Sequence, residues 1–225
     1  MTASESATGT TLRIVVADDH AVVREGIRHV LERAEGLEVV AEAADGAEAL
    51  AAVAEHVPDI LVLDISMPEL TGLEVTQRLR AEGREVGIVI LSMFDDPEYV
   101  LQAVRSGADG YLLKDAGPAE LRDAVLAVHD GREYLSERVT HQLSVALRSE
   151  LEQEQRRSRL EQLTPREREV LVRVTRGRTA REIAEEFGIS HRTVETHRER
   201  VMSKLRIRTI AGLTRFVLEA GIEGE

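Results

Sequence analysis

Through its first half the chain alternates between two apolar rhythms. Short runs rich in β-branched residues (LRIVVA from Leu12, LEVVAEA from Leu37, DILVLD from Asp59, VGIVIL from Val86, DGYLL from Asp109) are separated by stretches with helical apolar spacing, such as Val22, Ile27, Val30 and Leu31. The runs predict strands and the stretches between them predict amphipathic helices. Five such units in succession predict a doubly wound parallel sheet over residues 12–130, with residues 1–11, MTASESATGTT, as a polar, disordered tail.

Beyond the break at Asp130-Gly131, Val139, Leu143 and Leu147 are spaced for one more amphipathic helix. The following SELEQEQRRSRLEQ is nearly free of apolar residues and is expected to be an interdomain linker at about 149–162, helical in one state and loose in another. Residues 131–162 are therefore helix plus linker. From Leu163 the signals are those of short capped helices: Thr164 before Pro165, with Glu167 three residues after the cap; Thr179 before REIAEEF, closed by Gly188; Ser190 before HRTVETHRERVMSKL. Two of these helices around a glycine turn predict helix-turn-helix, so residues 163–221 are expected to be a small four-helix domain and the whole chain α/β followed by all-α.

Charge sharpens this division. The net charge of −12 is uneven, with −15 over residues 1–162 and +3 over residues 163–225. Such asymmetry predicts different partners for the two halves. Between Ser190 and Arg208 six basic residues stand against two acidic ones, an excess suited to phosphates. On a helix Val194, Val201 and Leu205 share one side, while Arg192, Glu195, Thr196, Glu199, Arg200 and Ser203 lie on the other, which would enter a major groove. With aromatics at 3% and no tryptophan, a stacking platform for single strands is not expected. The absence of cysteine, of a His/Cys cluster and of any membrane-length apolar stretch argues against zinc, secretion and insertion and predicts a cytoplasmic protein.

Candidate chemistry sits at the strand ends. Asp18-Asp19 follow the first run, Asp64 ends the third and most apolar one, Ser92 follows the fourth and Lys114 the fifth. In a parallel sheet these positions converge in the crevice where such folds bind ligands. Three carboxylates would repel without a cation, and oxygen donors suit Mg²⁺. A hydroxyl and an amine beside them suit a phosphoryl group on Asp64, Ser92 donating to its oxygens and Lys114 pairing with its charge. Asp19 has a second reading, as the cap of the helix starting near Ala21.

These fragments, ADDH, LDISMPELTGLE, ILSMFDD and SGADGYLLKD in that order, resemble the receiver domain of bacterial two-component response regulators, a flavodoxin-like fold. LTPREREVL, TAREIAEEFGIS and RTVETHRERVMSKL resemble the LuxR-type helix-turn-helix of the NarL/FixJ subfamily. The resemblance implies that Asp64 accepts phosphate from a sensor histidine kinase. Mg²⁺ would be held by Asp19, Asp64 and the Ser66 main-chain carbonyl, with Asp18 acting through water. It implies a switch formed by Ser92, Tyr111 and Lys114, base contacts from Glu195, Thr196 and Glu199, and DNA contacts from Arg192, Thr193, Arg198, Arg200 and Lys204. The implied partners are the kinase, double-stranded promoter DNA, RNA polymerase and, after phosphorylation, a second copy of the chain, with no membrane. Two positions depart from common receivers or tune them: Lys114 is followed by Asp115 rather than proline, and Phe94 is bulky where dephosphorylation is set. A phosphohydrolase of the haloacid-dehalogenase kind, the enzyme alternative, calls for an aspartate where this chain has Ser66.

Overall fold

A computed structural model of the chain describes residues 11–221, so the tail expected at 1–11 lies almost wholly outside the described residues. The chain divides between Leu147 and Arg148 into two compact units.

The first unit is built as the alternating pattern predicts. Strands β1 (Leu12–Ala17), β2 (Leu37–Ala43), β3 (Ile60–Asp64), β4 (Gly87–Ser92) and β5 (Gly110–Leu113) alternate with helices α1 (Ala21–Glu32), α2 (Gly46–His56), α3 (Gly72–Ala81), α4 (Pro97–Ser106) and α5 (Pro118–His129). All strand pairings are parallel, in the order β2-β1-β3-β4-β5-β6, where β6 (Tyr134–Leu135) is a two-residue edge strand that the sequence does not announce. Successive strand residues face opposite layers. Val15, Ala17, Leu61 and Leu63 pack under α2, α3 and α4, whereas Ile14, Val16, Ile60 and Val62 pack under α1 and α5. Burial on both faces explains why the strands read as continuous apolar runs. Within α1, Val22 is exposed and Val23 packs inward, so the apolar stripe starts one residue later than its spacing suggests.

The segment expected as a linker is helical. One helix, α6 (Glu137–Glu161), runs unbroken through 149–161. Glutamate, glutamine, arginine and leucine are good helix formers and the segment has no glycine or proline, so a sequence with no core of its own still propagates a helix. Its start is held by Val139 in the first unit's core, and Leu160 packs on the core of the second.

The second unit holds α7 (Pro165–Thr175), α8 (Ala180–Phe187), α9 (His191–Leu205) and α10 (Ile210–Glu219). Thr164 and Thr179 close capping boxes with Glu167 and Glu182, Ser190 caps α9, and Gly188 ends α8 in the left-handed region at φ 64°. Val170, Leu171, Ile183, Val194, Val201 and Leu205 form the core with Leu213 and Phe216. Glu167 is the buried acid here. It accepts the Thr164 amide at 2.9 Å and the Lys204 ammonium at 2.6 Å, the latter also reaching the Gln162 carbonyl at 3.0 Å. Burial alone would raise its pKa, yet Lys204 and Thr164 together hold it below the usual 4.5. Among the described residues no helix is long and apolar enough to cross a membrane.

Two outcomes follow from these contacts. A Cβ at Gly72 would overlap the Asp64 carbonyl oxygen and crowd Ile65, so Gly72→Ala should lower the first unit's stability by about 1–3 kcal/mol in urea unfolding. Because folded Glu167 holds its proton less tightly than the unfolded chain does, its contribution is complete above about pH 4.5 and fades as pH falls through the lower folded value. Glu167→Gln should cost about 1–3 kcal/mol at pH 7 and flatten that acid limb, as read by thermal melts from pH 7 to 3.

Candidate metal centre and nucleic-acid interface

The parallel register brings the predicted acids together. Asp18 and Asp64 lie at the ends of neighbouring strands β1 and β3 and are 1% and 4% exposed. Lys114 leaves the end of β5, where its amide donates to the Ser92 carbonyl at 2.8 Å. Its ammonium stands between the two acids, 2.7 Å from Asp18 Oδ2 and 2.8 Å from Asp64 Oδ2. Burial, and to a smaller degree the Asp18 charge, push the Asp64 carboxyl up, against the opposing pull of Lys114 and the Ser66 main chain. For Lys114 burial works toward neutrality, but its hydrogen bonds to Asp18 and Asp64 outweigh it and the pKa rises, so the amine stays charged.

Asp19 stands at the rim, a third exposed. It does not cap α1: the N-cap residue is His20, without a side-chain cap bond. Instead Asp19 Oδ1 lies 2.6 Å from His20 Nδ1, while the His20 amide donates to Asp18 Oδ1 at 2.8 Å and Arg24 holds the Asp18 carbonyl at 2.6 Å. His20 is the residue that sequence reasoning passed over, though it follows directly in ADDH. Donor atoms of Asp18, Asp19, His20 and Asp64 all lie within 4.8 Å of one another, close to twice a typical metal–oxygen distance of about 2.0–2.3 Å. Three carboxylates facing one ammonium leave net negative charge, so the donor set suits a divalent, oxygen-seeking cation. Ser66 has an exposed side chain and meets Asp64 through its main chain.

Ser92 and Tyr111 both meet the main chain of Phe94. Ser92 Oγ accepts the Phe94 amide at 3.0 Å, and the Tyr111 hydroxyl donates to the Phe94 carbonyl at 2.7 Å. Both side chains are fully buried, and burial pushes the Tyr111 phenol up to about 12, so it acts as a donor. Phe94 points outward and stacks on Tyr99 with ring centroids 4.8 Å apart. No peptide bond among the described residues is cis, so Lys114-Asp115 is trans.

In the second unit α8 and α9 form the expected helix-turn-helix. Arg192, Thr193, Thr196, Glu199 and Arg200 are exposed along α9, opposite buried Val194, Val201 and Leu205. Three predicted contacts are already engaged. Glu195 is half-buried and paired with Arg198 at 3.1 Å, and Lys204 is held by Glu167. Helical spacing shows which side of α9 a residue occupies, but not which long side chains fold back on neighbouring helices. His197 is half-buried, as its place at the edge of the apolar face suggests.

Comparisons agree with both halves. Residues 14–126 match the response regulator receiver domain and residues 161–217 the luxR family of bacterial regulatory proteins. The transcriptional regulatory protein MctR of Rhizobium johnstonii is 37% identical over 94% of this chain and 95% of its own length. Among solved structures, the response regulator ChrA of a heme-sensing two-component system is similar over 95% of this chain and all of that one, at 32% identity and a TM-score of 0.55. The two-component response regulator RcsB, solved in complex with DNA, is similar over 93% of this chain and 98% of that one, at 25% identity and a TM-score of 0.56. With a receiver built around the acid pocket and a LuxR-type helix-turn-helix behind it, the chain belongs to the two-component response regulators that join these two domains.

Proposed function

We propose that this chain is a transcription regulator switched by phosphorylation of Asp64. The observation that carries this reading is the pocket itself: a nearly sealed carboxylate, a second acid beside it, and an ammonium bridging the two. In the reaction Asp64 attacks the phosphorus of a phosphohistidine on a sensor histidine kinase; the P–N bond breaks and the imidazole leaves as the acyl phosphate forms. When bound, Mg²⁺ neutralises phosphoryl oxygen charge, and Asp19, Asp64 and the Ser66 carbonyl would hold it, with Asp18 acting through water. Lys114 supplies a fixed positive charge to a phosphoryl oxygen, and Ser92 supplies a hydroxyl hydrogen, which accepting the Phe94 amide does not use. The chain turns over no substrate beyond its own phosphorylation and slow dephosphorylation, and it works in the cytoplasm.

The switch follows from shared partners. Ser92 and Tyr111 hold the same residue, Phe94, from two sides, so a phosphoryl group that recruits the Ser92 hydroxyl also alters the anchorage of the Tyr111 ring. The receiver at 12–130 would then favour pairing of two copies, and the helix-turn-helix at 163–221 would place α9 in the major groove of promoter DNA, where RNA polymerase is recruited or excluded. Glu195, Thr196 and Glu199 read bases; Arg192, Thr193, Arg198, Arg200 and Lys204 position the backbone. Glu195 and Lys204 would exchange intramolecular partners for DNA on binding.

Intact mass after incubation with acetyl phosphate and Mg²⁺, with DNA binding followed in the same samples, tests the proposal. Wild type should gain one phosphoryl group and DNA affinity, and Asp64→Asn should gain neither; an equal adduct on both proteins would remove Asp64 from its role. Lys114→Met should form the adduct about tenfold more slowly or worse, because the developing charge loses its partner. On DNA, Arg200→Ala should weaken binding evenly across sequences and lower the salt slope by about 1. Glu195→Ala should instead change preference at one base pair by about 1–3 kcal/mol, as read from binding to single-site operator variants.

A further inference from the structure

Arg138 lies beyond the residues that match the receiver family, in the first turn of α6, yet its guanidinium reaches back to the pocket's two outer loops. One nitrogen is 2.8 Å from Asp115, the neighbour of Lys114, and another is 3.0 Å from Asp95, the neighbour of Phe94. Two further links close a ring around this fork. Leu135 of β6 pairs in register with Tyr111, and the Tyr111 hydroxyl bonds the Phe94 carbonyl next to Asp95. Val139, the residue after Arg138, is completely buried in the first unit's core, and its amide lies 3.4 Å from Ser136 Oγ. The start of α6 is thus held by a strand pair, an apolar anchor and an ionic fork, and of these only the fork touches both the loop that follows Ser92 and the loop that carries Lys114.

We propose that Arg138 is a positioning residue that ties the β4–α4 and β5–α5 loops of the phosphoacceptor site to the first turn of α6, so that phosphorylation of Asp64 and the anchoring of this turn are coupled. The inference rests on the phosphoacceptor reading above and adds the route by which the site acts on the helix leading to the DNA-binding unit. A phosphoryl group that draws in the Ser92 hydroxyl and the Lys114 ammonium displaces the residues next to Asp95 and Asp115, and one rigid guanidinium cannot follow two loops that move differently. The pairs are exposed and hence weak. That weakness suits a contact meant to be broken. By linkage, whatever loosens the fork changes the site in turn.

Hydrogen exchange in peptides spanning 134–147 of the full chain, with the Asp64 adduct followed by intact mass, tests the coupling. Unmodified Arg138→Gln should exchange this segment about three- to tenfold faster than wild type at low salt, with Arg138→Lys, which keeps the charge but loses the planar fork, in between. The difference should collapse in 1 M NaCl, where the Debye length is about 3 Å; a side chain acting through packing alone would show no such salt dependence. Phosphorylated wild type should exchange like Arg138→Gln, and phosphorylating that variant should change its exchange no further. Equal exchange in the unmodified proteins, or the same response to phosphorylation in both, would overturn the proposal. If wild type forms no adduct at all, the phosphoacceptor reading fails and the coupling with it, while the comparison of unmodified proteins still decides whether the fork anchors α6.

Discussion

Two carboxylates buried side by side at the edge of a parallel sheet must be reconciled with their own repulsion, and in this protein a single ammonium does so. Lys114 lies within 2.8 Å of both Asp18 and Asp64, and all three side chains are less than a tenth exposed. Removing one member of such a cluster typically costs about 3–5 kcal/mol, whereas apolar replacement of a whole buried cluster is often neutral or stabilising. Cohesion alone therefore gives little reason for the cluster. Much of the surrounding architecture serves it: Arg24 and the His20 amide fix Asp18, α3 closes on Asp64 where Gly72 has no side chain, and the β4–β5 pairing sets Lys114 against Ser92.

A smaller version of the same constraint organises the second unit. Glu167 starts as the far end of a capping box, a local device, and becomes a tertiary one when Lys204 arrives from α9. That ion pair joins the entry of α7 to the last turn of α9 through a buried carboxylate. It also limits what α9 presents to solvent. With Lys204 held by Glu167 and Glu195 held by Arg198, the polar groups left exposed on α9 are chiefly Arg192, Thr193, Thr196, Glu199 and Arg200.

The C-terminal half of α6, inside the second unit, separates two things that composition can be asked. Residues 149–161 lack the apolar residues for a core, which leaves a linker either helical or loose. They are helical because propagation asks only for favourable backbone propensity once a turn has been nucleated, and α6 is nucleated upstream, where Val139 is buried and Ser136 holds the first turn. Low hydrophobicity excludes a core; it does not exclude a helix.

The order of strands and helices, the caps at Thr164, Thr179 and Ser190, the apolar side of α9 and the convergence of Asp18, Asp64, Ser92 and Lys114 were all legible in the sequence, because each rests on local periodicity or on the one-way geometry of parallel strands. Other features were not. That Asp19 turns to His20 instead of capping α1, that Tyr134-Leu135 adds a strand, that Arg138 forks between Asp95 and Asp115, and that Lys204 pairs with Glu167 are contacts whose partners are distant in sequence or whose rotamers depend on neighbours. A long charged side chain has several acids within reach on paper; only packing decides which one it meets. Periodicity determines which face a residue occupies, and tertiary structure decides what that face touches.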